Sequence, residues 1–246
     1  MNMSFGSFAK KHIKKSLNPA GIEVHRFSPE ASALARMIKS FRSFNIDLVI
    51  DIGANEGQFA QEIRTGGYTG RLVSVEPMST AHQRLLRMSQ GDVSWHVHPR
   101  CAVGSEAGEI ELNIAGNSVS SSVLPMLAAH SNAAPESVYQ GKETVPLTTL
   151  DLMLPTYLEQ ASAPFLKIDT QGYEWQVLDG AKQVLPKIRG IMMEISFIPL
   201  YGDQRLWREC VDRLQADGFT LWSLEPVFVD PVNGRTLQMD ALFFRA

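Results

Sequence analysis

The feature that most constrains this chain's fold lies near residue 50. The unbroken apolar run Leu48-Val49-Ile50 passes directly into Asp51-Ile52-Gly53-Ala54-Asn55-Glu56-Gly57. Such a run, bounded by turn residues, reads as a strand buried on both faces, as strands are in a parallel sheet. Gly53 and Gly57 let the backbone turn tightly and approach a ligand at the carboxyl end of that strand, the edge where open α/β sheets bind ligands. The spacing Gly-x-x-x-Gly is not the Gly-x-Gly-x-x-Gly of dinucleotide folds, and no Lys-Ser/Thr follows as in a phosphate-binding loop. A ligand here is not expected to be held through a pyrophosphate; a purely structural turn is the competing reading.

The rest of the chain repeats the strand–helix rhythm. A helix is predicted from Ser28, with Ser28 as cap, Pro29 in the first turn and Leu34, Met37, Ile38 and Phe41 at helical spacing. Strands are predicted at Arg71–Glu76, Val93–Val97, Ile110–Ile114, Phe165–Asp169 and Gly190–Ile195. Helices are predicted at Phe59–Arg64, Ala81–Met88, Trp175–Val184 and Leu206–Ala216, with another begun by Thr149. Phe219–Leu224 and Ala241–Arg245 read as closing strands joined by the turn Asp230–Gly234. This pattern predicts one doubly wound, Rossmann-like α/β domain over residues 46–246, ending in an antiparallel hairpin. Residues 1–45 read as a basic extension and a helix packed on that domain. Residues 116–143, rich in Ser, Ala, Asn and Pro, break the rhythm and read as an irregular lid or substrate loop.

Composition narrows the function classes. With 44% hydrophobic and 20% charged residues, the 246-residue chain is neither disordered nor a disulfide scaffold. Its formal net charge of −3 gives no global basic field for nucleic acid, which is not an expected partner. Two cysteines, Cys101 and Cys210, are too few for a disulfide framework and read as reduced, buried thiols of a cytoplasmic protein. Lys10, Lys11, Lys14 and Lys15 crowd an N-terminal segment without a signal-peptide core. That segment reads as a loosely packed extension, with peripheral contact to an anionic membrane as the alternative.

Glu76 adds chemistry to the glycine turn. At the end of the next strand, its carboxylate can accept hydrogen bonds from both hydroxyls of a ribose. A ribose-binding carboxylate without a pyrophosphate motif suits a nucleoside with a short polar tail, a description that fits S-adenosylmethionine.

Val49-Ile-Asp-Ile-Gly-Ala-Asn-Glu-Gly57 and Val73-Ser-Val-Glu-Pro77 resemble the first two motifs of class I methyltransferases. Cys101-Ala-Val-Gly104, Ser120-Ser121-Ser122, Thr149-Leu-Asp151, Leu166-Lys-Ile-Asp-Thr-Gln-Gly-Tyr-Glu174 and Met193-Glu194-Ile-Ser196 narrow the resemblance to the FkbM family of S-adenosylmethionine-dependent O-methyltransferases. The resemblance implies a mostly parallel seven-stranded sheet with a C-terminal antiparallel hairpin. It implies that Asp51, Gly53, Ala54 and Asn55, with the turn at Gly57, line the methionine end of the cofactor. Glu76 would hold the ribose, Pro77 and Met78 would flank the adenine, and Ala102 and Val103 would lie near its ring. Asp169 would end the strand facing the transferred methyl, and Lys167, Gln171, Glu174, Ser121 and Ser122 would meet the substrate. The implied acceptor is a hydroxyl of a sugar in a polysaccharide, glycolipid or glycosylated natural product.

The residues themselves leave the catalytic roles open. Asp169 can point into the cleft while Glu174 begins the next helix, and Glu194 can bring a second carboxylate to the same edge. These carboxylates can act as base and substrate clamp, or Asp169 and Glu194 can bind a divalent ion such as magnesium. A Lys167–Glu174 ion pair that merely aligns strand and helix competes with both. His130, in the irregular loop, is the most interesting of the histidines as a base. Trp175, Trp207 and Trp222 read as packing residues. Two other functions compete: a nicotinamide-dependent oxidoreductase, weakened by the missing dinucleotide motif, and a non-catalytic binding module on the same fold.

Overall fold

The first strand, β1 (Leu48–Ile52), is buried at all five positions. It pairs in parallel with β2 (Arg71–Val75) on one side and β7 (Pro164–Ile168) on the other. β3 (Trp95–Val97) extends the sheet beyond β2, and β8 (Gly190–Ser196) beyond β7, both parallel. β10 (Thr236–Phe244) then adds antiparallel to β8, and β9 (Thr220–Val229) antiparallel to β10. The resulting order β3-β2-β1-β7-β8-β10-β9 is the expected seven-stranded, doubly wound sheet with its C-terminal hairpin. The strand order reverses between β1 and β7, which opens a crevice at their carboxyl ends. The structure, a computed structural model, describes Pro19, Gly21, Ile22 and residues 24–245. The basic segment read over residues 1–17 lies outside them.

Period-two alternation splits the core into two layers. Val49, Phe165, Met192 and Leu242 face α1 (Ala33–Ser43), α2 (Gln58–Thr65) and α3 (Ser79–Met88), where Ile38, Phe41, Ala60, Ile63 and Leu85 complete one cluster. Leu48, Ile50, Ile52, Leu166 and Ile168 face the other way, onto residues such as Val177, Leu178 and Leu214. Those belong to α7 (Glu174–Asp179) and α8 (Trp207–Ala216). Thr149 does cap a helix, α5 (Leu150–Met153), by accepting from Leu152 N at 3.2 Å. Asp151 of the same motif accepts from Gln183 N and Val184 N at 2.9 and 3.0 Å, tying α5 to the segment that follows α7.

The structure corrects several boundaries. Ser28 does not cap α1, because it closes its own turn with Ala31 and Ser32; Ser32 Oγ accepts from Ala35 N instead. α7 stops at Asp179 rather than running to Val184, since Gly180 passes against the carbonyl of Gly104, 2.0 Å from where a Cβ would lie. Ile110–Ile114 does form a strand, β5 (Gly108–Ala115), but in a second sheet with β4 (Ala102–Val103) and β6 (Tyr139–Thr148). β6 and a short helix, α4 (Ala128–Ala133), take up part of the stretch read as irregular. Only one side of β6 packs, through Val145 and Leu147, so its first half carries the polar sequence Gln140-Gly-Lys-Glu-Thr144 and looked like loop.

Candidate active site

The crevice between β1 and β7 opens into a cleft of about 310 Å³. At its β1–β2 end the backbone does most of the building. Gly53, at φ +80°, and Ala54 both donate to Val75 O at 3.0 Å. A Cβ on Gly53 would lie 1.8 Å from the carbonyl oxygen of Asp169, so only glycine lets the β1 turn pass the end of β7. Asn55 N and Met78 N each donate to one oxygen of Glu76 at 2.8 Å, fixing the carboxyl group in place. Burial raises the Glu76 pKa to about 7, against the pull of those two amides. Gly53, Ala54, Asn55, Glu76, Pro77, Ala102 and Val103 all line the cleft.

Three residues expected beside the cofactor stand behind the lining instead. Asp51 is fully buried, and Lys167 Nζ lies 3.0 Å from its Oδ1, so it supports Lys167 from beneath. Gly57 begins α2 at φ +96° and packs against Trp95 and Leu85. The Met78 side chain is buried, its sulfur 3.8 Å from Ser121 Oγ.

At the β7–β8 end side chains do the building. Lys167 Nζ lies 3.3 Å from Asp169 Oδ2. Burial opposes its charge, but Asp51 and Asp169 outweigh that and raise the Lys167 pKa. The Gln171 Nε2 donates to both Asp169 Oδ1 and Glu194 Oε2 at 2.8 Å, while Tyr201 Oη donates to Gln171 Oε1 at 2.7 Å. Gln238 Nε2 donates to the same Glu194 oxygen at 2.8 Å. Burial, then Asp169 and Asp240, push the Glu194 carboxyl well above the ordinary range. Lys167, Asp169, Gln171 and Ser121 line the cleft, together with Phe59, Glu62 and Asp240, which the sequence reading missed.

Several substrate and catalytic assignments are corrected by this geometry. Glu174 does not reach the cleft: its Oε1 accepts from Thr170 N at 2.9 Å and Gly172 N at 3.0 Å, closing the turn after β7. Nor does it pair with Lys167, whose partners are Asp51 and Asp169. Ser122 donates to Gln171 O at 2.7 Å and is buried. His130 is buried against the rings of Tyr201 and Phe228, bonded to Ser137 Oγ at 3.0 Å, with its pKa lowered by burial. It packs α4 and is not among the residues that line the cleft. The Gln171 amide bridges Asp169 Oδ1 and Glu194 Oε2, so a divalent ion shared by the two carboxylates would have to displace it. Among the described residues no group of three or more His, Cys, Asp or Glu is arranged to hold a metal ion. The arrangement does not fit a bound metal.

Some of the missed residues carry a signal. Gln58, Phe59 and Glu62 follow the glycine turn within one helical face, so α2 was bound to present them near the turn. Asp240 and Tyr201 carry no comparable local sign. Cys101 lines the cleft but remains a packing thiol, raised by burial to about 11.

The chain is similar in fold to TehB from Haemophilus influenzae (8% identity, TM-score 0.47, 86% of this chain and 62% of that one). It is also similar to the methyltransferase domain of bacterial CtHen1 (9% identity, TM-score 0.46, 86% and 96%). A third structure, LepI in complex with SAM, shares 12% identity at TM-score 0.45, over 92% of this chain and 50% of that one. No curated protein matches the sequence. The FkbM methyltransferase domain, in contrast, matches residues 51–221, from the buried aspartate of β1 into β9. The match spans well over half of the chain, and the protein belongs to the FkbM methyltransferase family.

Proposed function

We propose that the protein transfers a methyl group from S-adenosylmethionine to a hydroxyl of a sugar, in a polysaccharide, a glycolipid or a glycosylated natural product. The observation that carries this reading is the cleft's division of labour. One end presents Glu76, whose two oxygens each have a backbone donor and a lone pair left over. The other presents the carboxyl groups of Asp169 and Asp240 beside Phe59 and Glu62. A carboxylate with two oxygens suits a ribose diol, and carboxyl groups near an aromatic ring suit a polyol.

The bound cofactor would supply a methyl group activated on a sulfonium. Gly53, Ala54 and Asn55 would hold its amino-acid end, Glu76 its ribose, and Pro77, Ala102 and Val103 its base. Methyl transfer to oxygen is an in-line displacement that rests on positioning and on a group that takes the hydroxyl proton. Asp169, held through both oxygens by Gln171 and Lys167, is a fixed clamp for the acceptor.

Calorimetric titration with S-adenosylhomocysteine, with and without magnesium, tests the cofactor assignment. Micromolar binding that magnesium leaves unchanged is expected. Absence of binding in both conditions overturns the reading and returns the nicotinamide and non-catalytic alternatives.

A further inference from the structure

The acceptor end of the cleft holds a carboxyl group beyond residue 221, where the family match ends. Asp240 lies on β10, directly opposite Glu194 of β8 and Glu225 of β9. Lys167 pairs in register with Asp51 and Met192, and directly opposed residues share a face of the sheet. Two residues further toward the carboxyl ends of β7 and β8, Asp169, Glu194 and Asp240 therefore form a row on the face covered by α1 and α2.

The three carboxyl groups of that row are used differently. Glu194 takes the amides of both Gln171 and Gln238 on its Oε2 and does not line the cleft. Asp169 has Gln171 on one oxygen and Lys167 near the other. Asp240 lines the cleft, and among the described residues no hydrogen bond or ion pair within 4.0 Å engages its side chain. Asp240 is partly exposed, and a carboxyl group partly withdrawn from water without a partner costs stability unless a ligand completes it.

We infer that Asp240 is the group that accepts the hydroxyl proton of the methyl acceptor, with Asp169 and Lys167 held beside it. The inference rests on the hydroxyl-acceptor reading above. In the step, the acceptor oxygen forms a bond to the methyl carbon as the carbon–sulfur bond breaks. The bonding pair stays on sulfur, giving the uncharged thioether of S-adenosylhomocysteine. The hydroxyl proton passes to the Asp240 carboxylate and from there to water, leaving a methyl ether. The groups that face Asp240 are Asp169 and Lys167 of β7, Glu62 of α2, Glu194 of β8 and Glu225 of β9, the last paired with Arg36 at 2.6 Å. Burial and then Asp169 raise Asp240 to about 7 while Lys167 opposes them, which suits a base working near neutrality.

The test compares Asp240→Asn, Asp240→Glu and Asp169→Asn. Each is titrated with S-adenosylhomocysteine and assayed for transfer of tritiated methyl from S-adenosylmethionine to methyl glycosides of hexoses and deoxyhexoses. Asp240→Asn should bind S-adenosylhomocysteine within about twofold of wild type and keep its KM for the glycoside. Its kcat should fall by about 100-fold or more, the size of a lost general base. The acidic limb of its kcat/KM profile near pH 7 should disappear, and Asp240→Glu should recover part of the rate. Asp169→Asn should raise the glycoside KM and keep that acidic limb. An Asp240→Asn enzyme with kcat within about threefold of wild type, or one that loses S-adenosylhomocysteine as well, overturns the inference alone. A wild-type enzyme that binds S-adenosylhomocysteine but methylates no hydroxyl overturns the reading beneath it, and the inference falls with it.

Discussion

The two ends of the cleft hold their carboxyl groups by opposite means. At the β1–β2 end, Glu76 is fixed by the backbone amides of Asn55 and Met78. At the β7–β8 end, Asp169 and Glu194 are fixed by the side-chain amide of Gln171, itself oriented by Tyr201. Backbone amides stay in place as long as the turn that carries them folds. A side-chain amide stays only while its own partners hold it: Tyr201 orients Gln171, and Gln238 adds a second amide donor to Glu194. The end proposed for the cofactor is thus tied to one local turn, and the end proposed for the acceptor to distant parts of the chain.

The two ends meet at Gly53, so the largest effect is expected there. Gly53→Ala places a Cβ against the Asp169 carbonyl at a φ of +80°. The cost should exceed the ~1–3 kcal/mol of backbone strain alone, because two strand ends must also separate. A large fall in thermal unfolding temperature and loss of S-adenosylhomocysteine binding are expected. Wild-type stability and binding in Gly53→Ala would break the comparison, since the ends would then not depend on that contact.

Glu76→Ala separates the ends. Hydrogen bonds to a charged group contribute about 1.5–3 kcal/mol, so calorimetry should show S-adenosylhomocysteine binding about tenfold to hundredfold weaker. The glycoside KM should stay near wild type. An unchanged affinity would mean the ribose is held elsewhere and that Glu76 only braces the turn.

That asymmetry also explains what was legible in the sequence. The run Leu48–Ile50, the turn at Gly53 and the carboxylate at Glu76 are local patterns, and the structure keeps them together through Asn55. The sheet followed from strand–helix alternation, because β1 and β7 at its centre are mostly apolar and buried at every position. Exposed β6 escaped notice because only Val145 and Leu147 of it are buried. At the acceptor end the pattern Lys167-Ile-Asp-Thr-Gln-Gly-Tyr-Glu174 drew attention to the right turn but not to its wiring. Nothing in the spacing distinguishes Gln171, which lines the cleft, from Glu174, whose carboxyl closes the turn underneath. Nor does it show that His130 is spent on packing between Tyr201 and Phe228. Tyr201 and Asp240 reach the site through sheet register and loop packing, which a local reading cannot supply.

Two substitutions grade the acceptor end. Gln171→Leu removes the shared donor and leaves Asp169 and Glu194 facing each other, so kcat should fall by about tenfold, as for loss of a hydrogen bond to a charged group. Tyr201→Phe removes only the hydroxyl that donates to Gln171 Oε1 at 2.7 Å. At ~0.5–1.5 kcal/mol for one neutral hydrogen bond, a loss of about threefold to tenfold is expected. Both variants should bind S-adenosylhomocysteine as wild type does. Weakened binding would show that the acceptor wiring also positions the cofactor turn, and the division between the ends would be less sharp.

The smallest effect concerns pH. Burial raises Glu76 and Glu174 from an ordinary 4.5, and Asp240 from 3.8, each to about 7. The folded state therefore binds protons that the unfolded chain has already released. This contribution to stability is full below the unfolded values and is lost as pH rises through about 7. Wild-type protein should unfold a few degrees higher at pH 5.5 than at pH 8, where about 1 kcal/mol corresponds to ~2–4 °C for a chain of this size. Glu76→Gln and Glu174→Gln should each flatten that slope, the first at the cofactor end and the second beneath the acceptor turn. A wild-type slope of zero would mean that these carboxyl groups stay ionised, with the backbone amides at Glu76 and Glu174 outweighing desolvation.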